Sequence, residues 1–522
     1  MRRKELNLLI GITMLFSLFS CHSRNTTVSH LFEETPNPDL LILNGTVVDG
    51  SGAEGFYADL VIHEGKIKYV GNLGSAKMNL NAKEKIDATG KLVTPGFIDT
   101  HAHGNPLTTP EFHNFLAMGA TTITLGQDGS SPENPAEWMQ KVDQLVPGPN
   151  VVLFAGHGSL RMQSGIEYDS FPDEQQLEEL EKLLTEALEA GCFGLSTGLE
   201  YNPGYFAGKE ELVRIAKVTN NYNGLIMSHI RNEDDEAIAQ SLNEFFLQGA
   251  YCPIQVSHIK VVYGQGASRG QEVLDLLRQS RKEGIDVTAD VYPYLASYTG
   301  IGILFPEWAK PPFNYEQVKQ EKYEQLAAYL RERVAKRNGP EATLIGTGKY
   351  QGMNLAELAA KANKPFEEVL IREIGPDGAR GAYFIMNQEL QDQFITDSLV
   401  MICSDGSPAG HHPRGYGTFA KIIEDYVVKN PAMTTEFAIF KMTGFPARRL
   451  GLEDRGLIRK DYAADLLVFD PDEVKDLATY EKPHQMAAGF NDIVVNGKLV
   501  RKDGKFVGTR NGKMLRKKYS DD

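Results

Sequence analysis

His101 and His103 stand one residue apart at the end of the apolar run Val93-Thr94-Pro95-Gly96-Phe97-Ile98-Asp99-Thr100-His101-Ala102-His103. Side chains alternate faces along a strand, so two histidines at this spacing look the same way and can grip one cation. Further metal-ligating groups close other strand-like runs: His229 follows 224–227, His258 follows 253–256, and Asp405 follows 399–403. Four strand ends carrying imidazole and carboxylate groups outline one metal site.

The elements that must position these groups form a repeating pattern. From residue 94 to about 451 a short β-branched run, a loop with Gly or Asp, and an amphipathic helix alternate. The segment 174–190 reads as a helix with Asp173 as its N-cap and Leu177, Leu180, Leu184 and Leu188 on one stripe; Gly191 ends it and the strand 193–199 follows. A second unit is the helix 271–282, with Val273, Leu274 and Leu277 inward, then Gly284 and the strand 286–291.

Strand runs fall at 95–100, 121–125, 151–155, 193–199, 225–227, 254–256, 287–291 and 400–403. Eight βα units predict an α/β fold of the TIM-type (β/α)8 barrel, over 93–452. A doubly wound open sheet would leave the ends of strands one, five, six and eight far apart, whereas closure brings them together. Between strands seven and eight lies a long insertion, about 298–398, with helices expected at 315–336 and 355–363; at that face of a barrel it can cover the site. The flanks 39–92 and 453–518 alternate into Gly turns, as in Leu43-Asn44-Gly45 and Val495-Asn496-Gly497. They predict one small β-sandwich formed by both chain ends.

At 522 residues, 42% hydrophobic and 24% charged, the chain can hold more than one domain. A net charge of -15 argues against nucleic acid as a partner. Arg2, Arg3 and Lys4 precede the apolar stretch 8–19, which suits a secretory signal. Leu18-Phe19-Ser20-Cys21 resembles a bacterial lipoprotein box, so residues 1–21 read as a lipoprotein signal peptide and 22–38 as a tether. The expected location is exported and membrane-anchored through a lipid on Cys21, facing the periplasm. Cys192, Cys252 and Cys403 lie in or beside strand runs, where a thiol packs as a small hydrophobe, and no disulfide framework is expected.

Five stretches taken in order resemble the amidohydrolase superfamily and, within it, the D-aminoacylase (N-acyl-D-amino-acid deacylase) family. They are the run 95–103 quoted above, Gly194-Leu195-Ser196-Thr197-Gly198-Leu199, Ser228-His229-Ile230-Arg231-Asn232-Glu233, His412-Pro413-Arg414-Gly415-Tyr416-Gly417-Thr418-Phe419, and Pro446-Ala447-Arg448-Arg449-Leu450-Gly451-Leu452. The resemblance implies that His101, His103, His229 and His258 ligate metal, and that Asp405 both contacts metal and shuttles the proton. Zinc suits these ligands, as one or two ions per chain. Lys260, Tyr292 and Arg414 are implied as substrate contacts, and a planar guanidinium suits carboxylate recognition.

The departures from the family carry information. Where members with a bridging cysteine have Asn-Cys-Gly after strand two, this chain has Gln127-Asp128-Gly129. Strand four has no lysine to carboxylate, but Glu200 ends it. Glu200 is therefore expected to bridge two metals, with Asp128 as the alternative or as a supporting partner. Tyr298 stands where the family's D-aminoacylases can show a serine. His157 has two readings, a packed residue or a site residue.

The implied activity is metal-dependent cleavage of the amide of N-acyl-D-amino acids, to a carboxylate and a free D-amino acid. The alternatives are a dipeptidase or cyclic amidase of the isoaspartyl-dipeptidase, hydantoinase or dihydroorotase kind, and a binding lipoprotein without catalysis. Fold alone does not separate them.

Overall fold

Leucines recurring every three or four positions build the helices that flank the parallel strands. Asp173 caps the helix Glu174–Glu189: its side chain accepts from Gln176 N at 2.9 Å, and the Gln176 side chain accepts from Asp173 N at 2.9 Å. This reciprocal cap contributes about 1 kcal/mol and fixes where the helix begins. The expected stripe of Leu177, Leu180, Leu184 and Leu188 is buried. The next example starts earlier than its periodicity predicts, at Gly266, and runs to Lys282. Its polar first turn is held by Arg269 Nε, 2.6 Å from Asp235 Oδ1, and Gly270 admits the backbone of the neighbouring helix Gln388–Thr396 at close range.

The structure is a computed structural model that describes residue 35 and residues 37–518. The signal peptide and Cys21 read from the sequence lie outside the described residues, as does the tether up to residue 34. Cys192, Cys252 and Cys403 are buried, and none of them is in a disulfide among the described residues.

Every expected parallel strand forms. In chain order they are Phe97–Asp99, Ala120–Leu125, Asn150–Leu153 continued by Ala155–Gly156, Gly194–Gly198, Leu225–His229, Ile254–Val256, Val287–Val291 and Val400–Ile402. Each pairs in parallel with the next. The third is split at Phe154, so that its first part pairs with strand two and its second part with strand four. Backbone bonds just past the ends join strand eight to strand one: Asp405 N donates to His101 O at 2.8 Å, and His103 N to Gly406 O at 2.8 Å. Strands four to eight are buried at every position, which is why they read as continuous apolar runs.

Both flanks enter one nine-stranded sheet. Leu92–Pro95 is its seam, parallel to Leu40–Val47 on one side and antiparallel to Leu466–Phe469 on the other. Leu40, Ile42, Leu60, Leu466, Val468 and Val494 share one core cluster on this sheet.

The insertion has a core of its own, including Leu326, Leu330, Val334, Leu355, Leu358 and Val369. Its first expected helix is two, Tyr315–Glu321 and Tyr323–Lys336, broken at Lys322, whose ammonium lies 5.3 Å from the Trp308 ring centre. The sequence reading missed its three-stranded antiparallel sheet, Ala296–Gly300, Arg380–Phe384 and Thr343–Ile345. These strands are too short and too mixed in polarity to show a period of two.

Candidate metal centre and active site

Strands one, five, six and eight deliver their side chains to one cleft of about 840 Å3, and the insertion forms one of its walls. Two buried aspartates below the cleft set the strand ends. Asp99 accepts from Ser404 N at 2.9 Å and His101 N at 3.2 Å, tying strand eight to strand one. Asp290 accepts from Thr100 Oγ1 at 2.7 Å and His258 N at 2.5 Å, tying strand seven to strands one and six. Burial pushes the Asp99 carboxyl up to about 7 despite the hydrogen bonds from Ser404.

Three residues at the centre sit in left-handed backbone: Asp128 at φ 54°, His258 at φ 37° and Asp405 at φ 49°. Each costs about 1 kcal/mol or more for a residue with a Cβ, and such strain concentrates where side chains must be aimed.

The expected ligands come together. His103 Nε2 lies 3.0 Å from Asp405 Oδ1 and 3.4 Å from Asp128 Oδ2. His101 Nε2 lies 3.3 Å from Asp128 Oδ1 and 3.8 Å from Asp405 Oδ1. On the far side, His229 Nδ1 and His258 Nε2 are 3.0 Å apart, and His258 Nε2 is 3.3 Å from Asp128 Oδ1. Among the described residues three sets of atoms are close enough for one ion each: His101, His103, Asp128 and Asp405; Asp128, His229 and His258; and Glu200, His229 and Glu233.

Asp128 is common to the first two of these sets, and Glu200 belongs to the third. Glu200 Oε2 bonds His229 Nε2 at 2.9 Å and groups only with His229 and Glu233, away from His101 and His103. The reason is positional: Asp128 leaves strand two in a left-handed turn between the two histidine pairs, whereas Glu200 leaves strand four to one side.

The site's charges are mutually compensating. Burial raises the Asp128 carboxyl, but His101, His103 and His258 outweigh it and hold it well below its usual range. Burial lowers His103, yet its hydrogen bonds to the Asp128 and Asp405 carboxylates push it up to about 9. Burial and Lys260 lower His258, while Asp405, Asp128 and Glu233 push it up to about 10. Burial raises Asp405, but Arg414 and the histidines outweigh it and hold it far below the carboxylate range.

The expected substrate contacts line the cleft, but two already hold carboxylates. Arg414 Nη1 lies 2.6 Å from Asp405 Oδ2, and Nη2 donates to Tyr298 O at 3.1 Å. Lys260 Nζ lies 2.7 and 2.8 Å from the two oxygens of Glu233 and 2.8 Å from His258 Nδ1. Tyr292 is different. Its ring stacks under the Arg414 guanidinium at 4.9 Å, and its buried hydroxyl has no hydrogen-bond partner among the described residues.

Glu233 was missed as a site residue although the quoted motif contains it. Its spacing of four after His229 was the available signal. His157 is a packed residue: its Nε2 lies 2.7 Å from Glu211 Oε1, and Arg161 Nη1 takes the other oxygen at 2.5 Å.

A pair of histidines on strand one, histidines on strands five and six, and an aspartate after strand eight are arranged for metal-assisted hydrolysis. The comparisons agree with that class. A model described as "Amidohydrolase family" matches residues 359–501. The D-aminoacylase of Alcaligenes xylosoxydans xylosoxydans is 30% identical over 514 residues, covering 91% of this chain and 97% of the relative. The N-acyl-D-glutamate deacylase of the same organism is 32% identical over 487 residues, covering 88% and 93%. A crystal structure of N-acyl-D-glutamate deacylase from Bordetella bronchiseptica, complexed with zinc and a phosphonate mimic of the tetrahedral intermediate, superposes with a TM-score of 0.81 at 29% identity. That superposition covers 92% of this chain and all of the other. The chain belongs to the D-aminoacylase (N-acyl-D-amino-acid deacylase) family of amidohydrolases.

Proposed function

We propose that this protein is a zinc-dependent deacylase that hydrolyses the amide of N-acyl-D-amino acids to a carboxylate and a free D-amino acid. The observation that carries the reading is the position of Asp128 between the pair His101 and His103 and the pair His229 and His258. The donor set fits zinc: four imidazoles and two carboxylates converge, and both ring nitrogens of buried His101 have no hydrogen-bond partner among the described residues. His101, His103 and Asp405 would hold one ion, His229 and His258 a second, with Asp128 shared and Glu200 beside His229.

When bound, zinc supplies an activated water and a polarised amide carbonyl. Asp405 accepts the proton of the attacking water and passes it to the departing amine nitrogen, which cannot leave as an anion. Arg414 fixes one oxygen of Asp405, so the other faces the reacting centre. The Tyr292 hydroxyl and the N–H groups of Arg414 not taken by Asp405 and Tyr298 O offer donors for the substrate carboxylate.

The same reading extends to the architecture and the setting. We take the eight parallel strands as a closed barrel over 93–452, the segment 298–398 as its cover, and 39–92 with 453–518 as a β-sandwich. Strand-end bonds between Asp405 and His101 support closure. Lipidation at Cys21 would hold the enzyme on the periplasmic side of a bacterial membrane.

The test is amine release by zinc-loaded protein from paired N-acetyl-D- and N-acetyl-L-amino acids. Hydrolysis confined to the D series is expected. Equal rates on both series, or none on either, would overturn the reading.

A further inference from the structure

Of the four lysines and arginines lining the cleft, two are neutralised by neighbours, Lys260 by Glu233 and Arg414 by Asp405. The other two, Arg337 and Arg380, come from the insertion wall. Arg337 is the more telling of the pair. Only 2% of it is exposed, yet among the described residues its side chain has neither a carboxylate partner nor a hydrogen bond. Its guanidinium lies over the ring of Tyr383, 5.1 Å from the ring centre. By contrast Arg333, one helical turn earlier, is paired with Asp234 at 2.9 Å and with the Tyr263 hydroxyl at 3.1 Å.

A guanidinium buried without an anion is costly, because desolvation is not offset by a partner. A chain that keeps one on the wall of its catalytic cleft has a use for it when an anion arrives from outside. Arg380, exposed on the same wall with its guanidinium 6.0 Å from the Tyr298 ring, adds positive potential at the mouth.

We propose that Arg337 binds a second carboxylate on the substrate, so that the enzyme prefers dianionic N-acyl-D-amino acids to neutral ones. The inference rests on the deacylase reading above and assigns a specificity residue to it. The second carboxylate can sit on the amino-acid side chain, as in an acidic amino acid, or on the acyl group, as in a dicarboxylic acyl donor. Both present the same planar pair of oxygens to the guanidinium fork.

The test uses full-chain, zinc-loaded protein and three substrates: N-acetyl-D-glutamate, N-succinyl-D-leucine and N-acetyl-D-leucine. The wild type is expected to show a higher kcat/KM on at least one dianionic substrate than on N-acetyl-D-leucine. Arg337→Met should raise KM for that substrate on the order of 10- to 100-fold, the range for one hydrogen-bonded charge, with kcat and the neutral substrate little changed. Arg337→Lys should recover part of the loss. A loss confined to N-acetyl-D-glutamate places the second carboxylate on the amino acid, and one confined to N-succinyl-D-leucine places it on the acyl group.

Equal losses on all three substrates would overturn the inference, since Arg337 would then serve the carboxylate common to them. Should Arg337→Met fail to fold, the wild-type ratio decides alone, and a ratio near one overturns the inference. Hydrolysis of none of the three sinks the deacylase reading itself, whereas hydrolysis without a dianion preference sinks only the role of Arg337.

Discussion

Arg414 Nη1 lies 2.6 Å from Asp405 Oδ2, while Asp405 Oδ1 faces His103 Nε2 at 3.0 Å. One oxygen is anchored and the other is presented. The guanidinium also keeps Asp405 ionised, which is the form that can accept a proton. Arg414→Met should therefore move the acidic limb of the kcat/KM profile to higher pH, since the carboxylate then protonates more readily. Asp405→Asn should lower kcat by about 10²- to 10⁴-fold at every pH, the usual worth of a general acid or base. A pH–rate profile of both variants, with zinc content measured alongside, checks the pair; an unmoved acidic limb in Arg414→Met refutes the coupling.

Asp128 and Glu200 can be separated by metal content. Asp128→Ala removes a carboxylate common to two of the three sets, whereas Glu200 belongs to one, so Asp128→Ala should deplete zinc more than Glu200→Ala does. Asp128→Cys should restore binding, because a thiolate ligates zinc from the same turn. Elemental analysis after dialysis reads the difference; a larger depletion in Glu200→Ala would return the bridge to Glu200.

Zinc loading should release protons. His103 and His258 are pushed up to about 9 and about 10, so both carry a proton at pH 7 in the metal-free site. A ligating imidazole nitrogen must be free of it, so apparent affinity should rise with pH through the neutral range. Titration calorimetry in buffers of different ionisation enthalpy should find roughly two protons released per fully loaded chain. Affinity independent of pH between 6 and 8 would contradict the assignment.

The convergence of these side chains was legible because each of them ends an apolar run. His101, His103, His229, His258 and Asp405 each follow a segment whose composition marks it as a buried strand, and one ring of strands can bring those ends together. The position of the Asp128 carboxylate between the two histidine pairs was not legible. It depends on the left-handed turn at Asp128, which aims the carboxylate between two histidine pairs, and no local pattern specifies that direction. The pairing of Arg414 with Asp405 was hidden for a similar reason: a guanidinium's reach covers several partners, and only tertiary packing chooses one. The insertion's strands escaped because Arg380–Phe384 and its partners alternate too briefly.

Lys441 gives a stability handle remote from the metal. It is fully buried, with Nζ donating to Asp397 O and Val400 O, and burial pushes it down to about 7 from 10.5. Between those values the unfolded chain binds a proton that the folded chain does not, so this group makes stability rise with pH from about 7 to 10.5. Below about 7 both states are protonated and its contribution is constant. The slope is at most about 1.4 kcal/mol per pH unit, and Lys441→Met should remove it in urea titrations run across that range. An unchanged slope would mean that Lys441 is charged in the fold.

Glu211 should behave as a structural residue only. Replacing it with Gln breaks a buried group shared by His157 and Arg161 and should cost about 3–5 kcal/mol. Zinc content and kcat/KM per folded molecule should stay at wild-type values. A selective loss of zinc would bring His157 back as a site residue.

The seam strand Leu92–Pro95 pairs with Leu466–Phe469, more than two thirds of the polypeptide's length away. A ribosome must therefore finish nearly all of the chain before this edge finds its neighbour, and until then an apolar strand waits with half its hydrogen bonds open. The parallel strands and helices that follow it in the sequence can assemble in the meantime, but they do so beside an unfinished sheet. Loss of the last strands by early termination would leave that edge permanently open, and the product would be an aggregation seed before it was an inactive enzyme.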